Sequence, residues 1–130
     1  MSVTFALLSD AVIILDETQI SLELCHWYRV VRKCQDATEL AIFRYLGIEY
    51  PKSHLLGRVI KRELGEFRFL DIDELNKMAF ITDSLTFDRE PSFYGSPNGT
   101  PASELFDEED AREAIENTKW ILDAVKKIIE

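Results

Sequence analysis

Apolar residues recur at three- and four-residue steps along almost the whole chain, and no segment alternates with the period of two that a half-buried strand requires. That regularity restricts the fold to helices packed on helices. Phe5, Leu8, Val12 and Leu15 predict a first helix over about 3–17. Leu24, Tyr28, Val31, Thr38, Ile42, Tyr45 and Leu46 predict a longer one over about 20–46, closed by Gly47. Leu22, Leu40 and Phe43 lie round its other side. Such a helix belongs at the centre of a fold, or between the fold and a partner.

Pro51 forces Tyr50 out of helical geometry, and Ser53 is placed to cap a short helix over about 54–64. After Gly65, Leu75, Met78, Ala79, Thr82 and Leu85 predict a helix over about 71–88. It is expected to stop near Arg89, because Pro91 disfavours helical geometry at Glu90. Residues 90–106 contain Pro91, Pro97 and Pro101 with Gly95 and Gly99, and predict a long irregular loop of the kind that is functional or mobile. Asp107 caps the last helix, with Glu108, Glu109 and Asp110 at its positive end and Lys126 and Lys127 at its negative end. Ala111, Ala114, Ile115, Thr118, Leu122, Val125 and Ile129 form its inward stripe. The expected fold is all-α: one domain over 1–130, an antiparallel up-and-down four-helix bundle with one short extra helix.

Charge narrows the partners. The 130 residues hold 15 Lys and Arg against 24 Asp and Glu, a net −9. Residues 1–68 carry nine of each sign, so the whole excess lies in residues 69–130, with six basic and fifteen acidic side chains. A molecule so charged is no general coating for nucleic acid. A basic stretch (Arg29, Arg32, Lys33, Arg44, Lys52, Arg58, Lys61, Arg62, Arg68) still leaves room for a local anion site, or is simply a solvated helix face. Cys25 and Cys34 are too few for a disulfide framework. Nine residues apart in one expected helix, they are out of bonding reach and read as two buried small hydrophobes of a reducing compartment. Asp10 and Asp16 interrupt the first apolar run and no basic leader precedes it, so neither a signal peptide nor a membrane span is expected. The expected location is cytoplasmic, where the acceptor triplet at Asn98 goes unused.

Three segments resemble the HEPN domain family, small helical domains found beside minimal nucleotidyltransferases, in an archaeal or bacterial form. They are residues 34–54, from Cys34 through Gly47 and Pro51 to His54; Asp88-Arg-Glu-Pro-Ser-Phe-Tyr-Gly95; and Glu104 to Ile115 with the following Trp120-Ile-Leu122. Their order and spacing cover most of residues 5–129. The resemblance implies an antiparallel helical bundle, a two-fold homodimer with a cleft between protomers, and in many members metal-independent ribonuclease activity; no cofactor is expected. The nuclease motif is an Arg, a polar residue, and a His after four to six intervening residues.

Arg89 fits the motif Arg and Glu90 the polar residue, but the His position falls on Tyr94, and no His follows His54. Cleavage of RNA through its own 2′-hydroxyl needs a group that takes and returns a proton near neutrality. An imidazole, with an ordinary pKa of about 6.5, suits this; a phenol near 10 is ionised in roughly one molecule per thousand at pH 7. Loss of a general acid–base costs about 10²- to 10⁴-fold in rate, while a guanidinium still grips phosphate bidentately. Arg89 either contacts an anion or pairs with Asp36 or Glu39, and Tyr94 either contacts a ligand or packs on its loop.

The expected function is therefore a homodimeric binding module for nucleotide or RNA, or for a nucleotidyltransferase partner, without nuclease activity. Its ligand contacts would be Arg89, Glu90 and Tyr94. The alternative is a toxin-type, metal-independent ribonuclease using Arg89 with His54 or Tyr94. His54 otherwise caps or packs at its helix start. His26 has no second ligand at helical spacing, so no metal is expected. Trp120 lies opposite the inward stripe of the last helix, as an interface anchor or beneath the 90–106 loop.

Overall fold

The computed structural model describes residues 3–44 and 70–129. The predicted short helix over 54–64 falls outside them. The described residues form helices and turns only: α1 (Val3–Glu23), α2 (Trp27–Glu39) running into a π-helical turn (Leu40–Arg44), α3 (Ile72–Tyr94), a short α4 (Ala102–Leu105) and α5 (Glu108–Ile129). The fold is all-α.

The first two helices divide later than their periodicity suggests. α1 continues through Thr18 and Gln19, and the break falls at Leu24-Cys25-His26. The His26 N–H donates to the Ser21 carbonyl at 2.9 Å and the Cys25 N–H to that of Leu22 at 3.0 Å. With Cys25 at φ 60°, this is the paired closure of a Schellman motif, with a cysteine where glycine is usual. The two cysteines thus do not share a helix. Cys34 is buried in α2, whereas Cys25 is exposed in the turn, correcting the expectation of two buried thiols. Both are free.

α2 lies between α1, α3 and α5, which explains its wide apolar surface: Val30, Val31, Cys34, Gln35, Ala37 and Thr38 are all buried. Thr38 and Thr118 place their hydroxyls 3.5 Å apart where α2 meets α5, and Thr118 Oγ1 donates to the Cys34 carbonyl at 3.4 Å. Around this polar seam, Ile42, Met78, Ile81, Ile121 and Val125 are fully enclosed. Lys33 pairs with Glu17 at 3.0 Å across the antiparallel α1–α2 hairpin, and Lys127 with Glu74 at 3.3 Å between the C-terminal end of α5 and the N-terminal end of α3. Pairs this exposed align helices more than they stabilise them.

α3 begins with a reciprocal cap: the Glu74 N–H donates to Asp71 Oδ1 at 2.8 Å and the Asp71 N–H to Glu74 Oε1 at 3.2 Å. It does not end at Arg89. It passes through Pro91 and stops at Gly95, whose N–H donates to the Pro91 carbonyl at 3.0 Å. Proline removes one intrahelical donor, yet the local backbone stays helical because both sides of Pro91 are held. Ser92 is buried, with its carbonyl accepting from Arg32 Nη2 at 3.2 Å, and Gly95 adopts φ 78° to turn the chain away.

The expected 90–106 loop is consequently much shorter. Residues 95–101 form a tight turn, closed by Ser96 N–H to Thr100 O at 2.8 Å and Thr100 N–H to Ser96 Oγ at 3.1 Å. A Cβ on Gly95 would lie 2.3 Å from the Thr100 carbonyl oxygen, so only glycine fits there. The cap of α5 agrees with expectation, with the Asp110 N–H donating to Asp107 Oδ1 at 2.8 Å. Trp120 is half-buried against the core, and what lies over its ring is not the loop but Lys77 of α3, 4.7 Å from the centroid.

Candidate functional site

Arg89, Glu90 and Tyr94 all lie in the last turns of α3. Because the helix runs on through Pro91, Arg89 and Tyr94 are placed by one continuous helical backbone. Five residues of α-helix turn about 140° and climb about 7.5 Å. Position 89 therefore shares the side of α3 that carries the buried Met78, Thr82 and Leu85, the side packed on α2. Tyr94 lies on the outward side and is 83% exposed. Positions 89 and 94 thus fall on different faces of the helix end. Glu90 occupies the next backbone position, and His54 lies outside the described residues.

α2 contributes a side chain that stood in the sequence only as part of a basic stretch. Arg32 reaches across to the Ser92 carbonyl and ties α2 to the last turn of α3. Its neighbours are occupied: Arg29 sits over the Tyr28 ring at 5.7 Å and its Nε–H donates to the Tyr28 hydroxyl at 3.1 Å, while Lys33 holds Glu17. The signal for Arg32 lay in its helical spacing from Arg29, which sets both at the start of α2, although nothing local revealed the partner sixty residues away.

The residue before Arg89 is also perturbed. Burial pushes the Asp88 carboxyl above its ordinary 3.8, and the nearby charges of Asp110 and Glu113 on α5 push it the same way. Asp88, Asp110 and Glu113 thus bring three carboxylates near one another between α3 and α5. Among the described residues no group of three or more His, Cys, Asp or Glu side chains is arranged to hold a metal ion. His26 begins α2, with Nδ1 buried and no hydrogen-bond partner among the described residues.

A family model for the HEPN domain matches residues 6–128. The chain belongs to the HEPN domain family. No curated protein and no solved structure matches it. The match spans α1 to α5, so the α3 terminus with Arg89 and Tyr94 lies within a HEPN domain rather than beside one. HEPN domains are nucleotide- and RNA-associated helical modules, often RNase-like, and they commonly dimerise. No helix among the described residues of this HEPN domain is long and apolar enough to cross a membrane.

Proposed function

We propose that this HEPN domain is a homodimeric module that binds a nucleotide or an RNA end, in the cytoplasm, without cleaving RNA. One observation carries the reading: Tyr94 stands where the nuclease motif has its histidine, five places beyond Arg89. A phenol there is a hydrogen-bonding and stacking group, suited to a base or ribose, but not a proton shuttle at neutral pH. Since positions 89 and 94 fall on different faces of α3, one ligand would meet both only across the cleft of the homodimer, Arg89 supplying the charge for a phosphate, Glu90 a polar contact beside it, and the partner's Tyr94 the aromatic surface. A net charge of −9 confines such binding to a local site and keeps it weak and salt-sensitive. The fifteen acidic residues after position 68 would repel a long polyanion, which favours a mononucleotide or a strand end over duplex.

The test is fluorescence anisotropy of a short labelled single-stranded RNA, and calorimetry with mononucleotides, at low salt. Binding that Arg89→Ala weakens about tenfold or more, as expected for removal of a charge-assisted phosphate contact, supports the reading. Absence of binding to every nucleotide and RNA would overturn it and leave docking to a nucleotidyltransferase as the remaining role.

A further inference from the structure

The start of α2 is a basic island in an acidic molecule. Residues 24–35 hold Arg29, Arg32 and Lys33 and no Asp or Glu, although the chain as a whole stands at −9. The first turn of α2 contains no acidic residue, and His26 gives the helix end no side-chain cap. Elsewhere cations are matched with carboxylates, Lys33 with Glu17, Arg112 with Glu108 and Lys127 with Glu74. Arg29 is exposed, and among the described residues no carboxylate pairs with it. An aromatic ring holds it instead. Its guanidinium carbon lies 5.7 Å from the centroid of the half-buried Tyr28 ring, and its Nε–H donates to the Tyr28 hydroxyl at 3.1 Å. The His26 ring stands 6.4 Å from the same ring. The Tyr28 contact uses one of the five donors of a guanidinium and orients its plane.

We propose that Arg29, backed by Tyr28, forms a second nucleotide subsite that takes the base and phosphate next to the nucleotide held at Arg89. The ligand is then the end of a single RNA strand, two or more nucleotides long, in place of a mononucleotide. This deepens the function proposed above and rests on it. Chemistry is the first argument. An unpaired base stacks on a guanidinium plane, and the N–H groups that Tyr28 leaves unused suit a phosphate. Position is the second. Arg32 donates to the Ser92 carbonyl at 3.2 Å, and Ser92 lies three residues beyond position 89 on α3, as Arg29 lies three before Arg32 on α2. Each step is about 4.5 Å along its helix, so one turn of each, bridged by Arg32, joins the two subsites. Charge is the third. Three cations in twelve residues attract a few phosphates of a strand end, while the surrounding −9 opposes a long duplex, whose bases are in any case stacked away. An acidic peptide would meet the charge of Arg29 but has no plane to stack on it.

The test compares a nucleoside 5′-monophosphate, by calorimetry, with a labelled single-stranded trinucleotide of RNA, by anisotropy, at low salt. Far-UV circular dichroism confirms that each variant is helical. The wild type should bind the trinucleotide about tenfold or more tighter than the monophosphate, the effect of one additional stacked base. Arg29→Ala should remove that advantage, lower the salt slope for the trinucleotide by about 0.7, and leave the monophosphate affinity unchanged. Arg29→Lys should keep the salt slope yet lose most of the advantage, because the charge stays and the plane goes. Lys119→Ala, at an exposed position on α5, should change neither ligand. Trinucleotide binding that Arg29→Ala leaves intact, or weakens no more than Lys119→Ala does, overturns the subsite while the site at Arg89 stands. So does a hexaglutamate peptide that displaces the trinucleotide as well as unlabelled RNA does, which would assign the island to an acidic protein. A wild type that binds neither ligand removes both the subsite and the proposed function.

Discussion

Cys25 closes α1 in a left-handed conformation that costs a residue with a Cβ about 1–2 kcal/mol, and glycine can adopt it without that strain. Cys25→Gly should therefore raise stability by about 1 kcal/mol, read as a higher urea midpoint with unchanged slope. The same geometry separates the two thiols. Burial pushes Cys34 up to about 12, so native protein at mildly alkaline pH should react with a thiol reagent at one site, and Cys25→Ser should abolish that rapid reaction. This turn was not legible beforehand, because its marker residue is not the glycine or asparagine that announces a helix end; the periodic apolar residues on either side ran together across it. Asp88 gives a pH prediction. Its folded pKa lies above its unfolded value, so it does not weaken the fold when protonated, and stability is lost as pH rises through the folded pKa. Asp88→Asn should melt about 2 °C above wild type at pH 7, a modest gain because the group is half-exposed, and the gap should close as pH falls below 4.

Among the elements, α3 decides how the site is arranged. Its start near residue 71 and its core face at Met78, Thr82 and Leu85 followed from the apolar periodicity, while the reciprocal Asp71–Glu74 cap was not read. Its end did not follow. The local rule that a proline stops a helix was outweighed by contacts distant in sequence, the Arg32–Ser92 bond and the Gly95 turn. Pro91 still leaves the helix short of one donor, so Pro91→Ala should stabilise the protein by about 1–2 kcal/mol, measured as a shift of the urea midpoint. A loss of stability instead would mean that the proline shapes the turn. The extension also changes what the motif spacing means. A stop at residue 89 would leave the segment carrying Tyr94 free to fold back, whereas continuous helix sets positions 89 and 94 on different faces. The long loop read from three prolines and two glycines is a capped helix end, a tight turn and one turn of helix, because Gly95 and Gly99 serve positive φ rather than looseness.

For the molecule as a whole, helical periodicity was enough to give the all-α class, and three ordered segments were enough to give the family. What one sequence does not carry is the pairing of surfaces: nothing local to Arg32 announces that it reaches the Ser92 carbonyl, sixty residues on. Net charge then separates the two kinds of association proposed. Two copies at −9 repel one another, so added salt should tighten the dimer by screening that repulsion, while the same salt should weaken RNA binding by reducing counterion release. Sedimentation equilibrium and anisotropy over one salt series read both trends, and a dimer that dissociates as salt rises would mean that ion pairs rather than apolar packing hold it. The central claim is that a HEPN domain with tyrosine in the histidine position keeps the grip and loses the cut. The most direct test follows labelled single-stranded RNA with the wild-type protein in EDTA on a denaturing gel. The strand should remain full-length; cleavage by the wild type that disappears in Arg89→Ala would contradict the account.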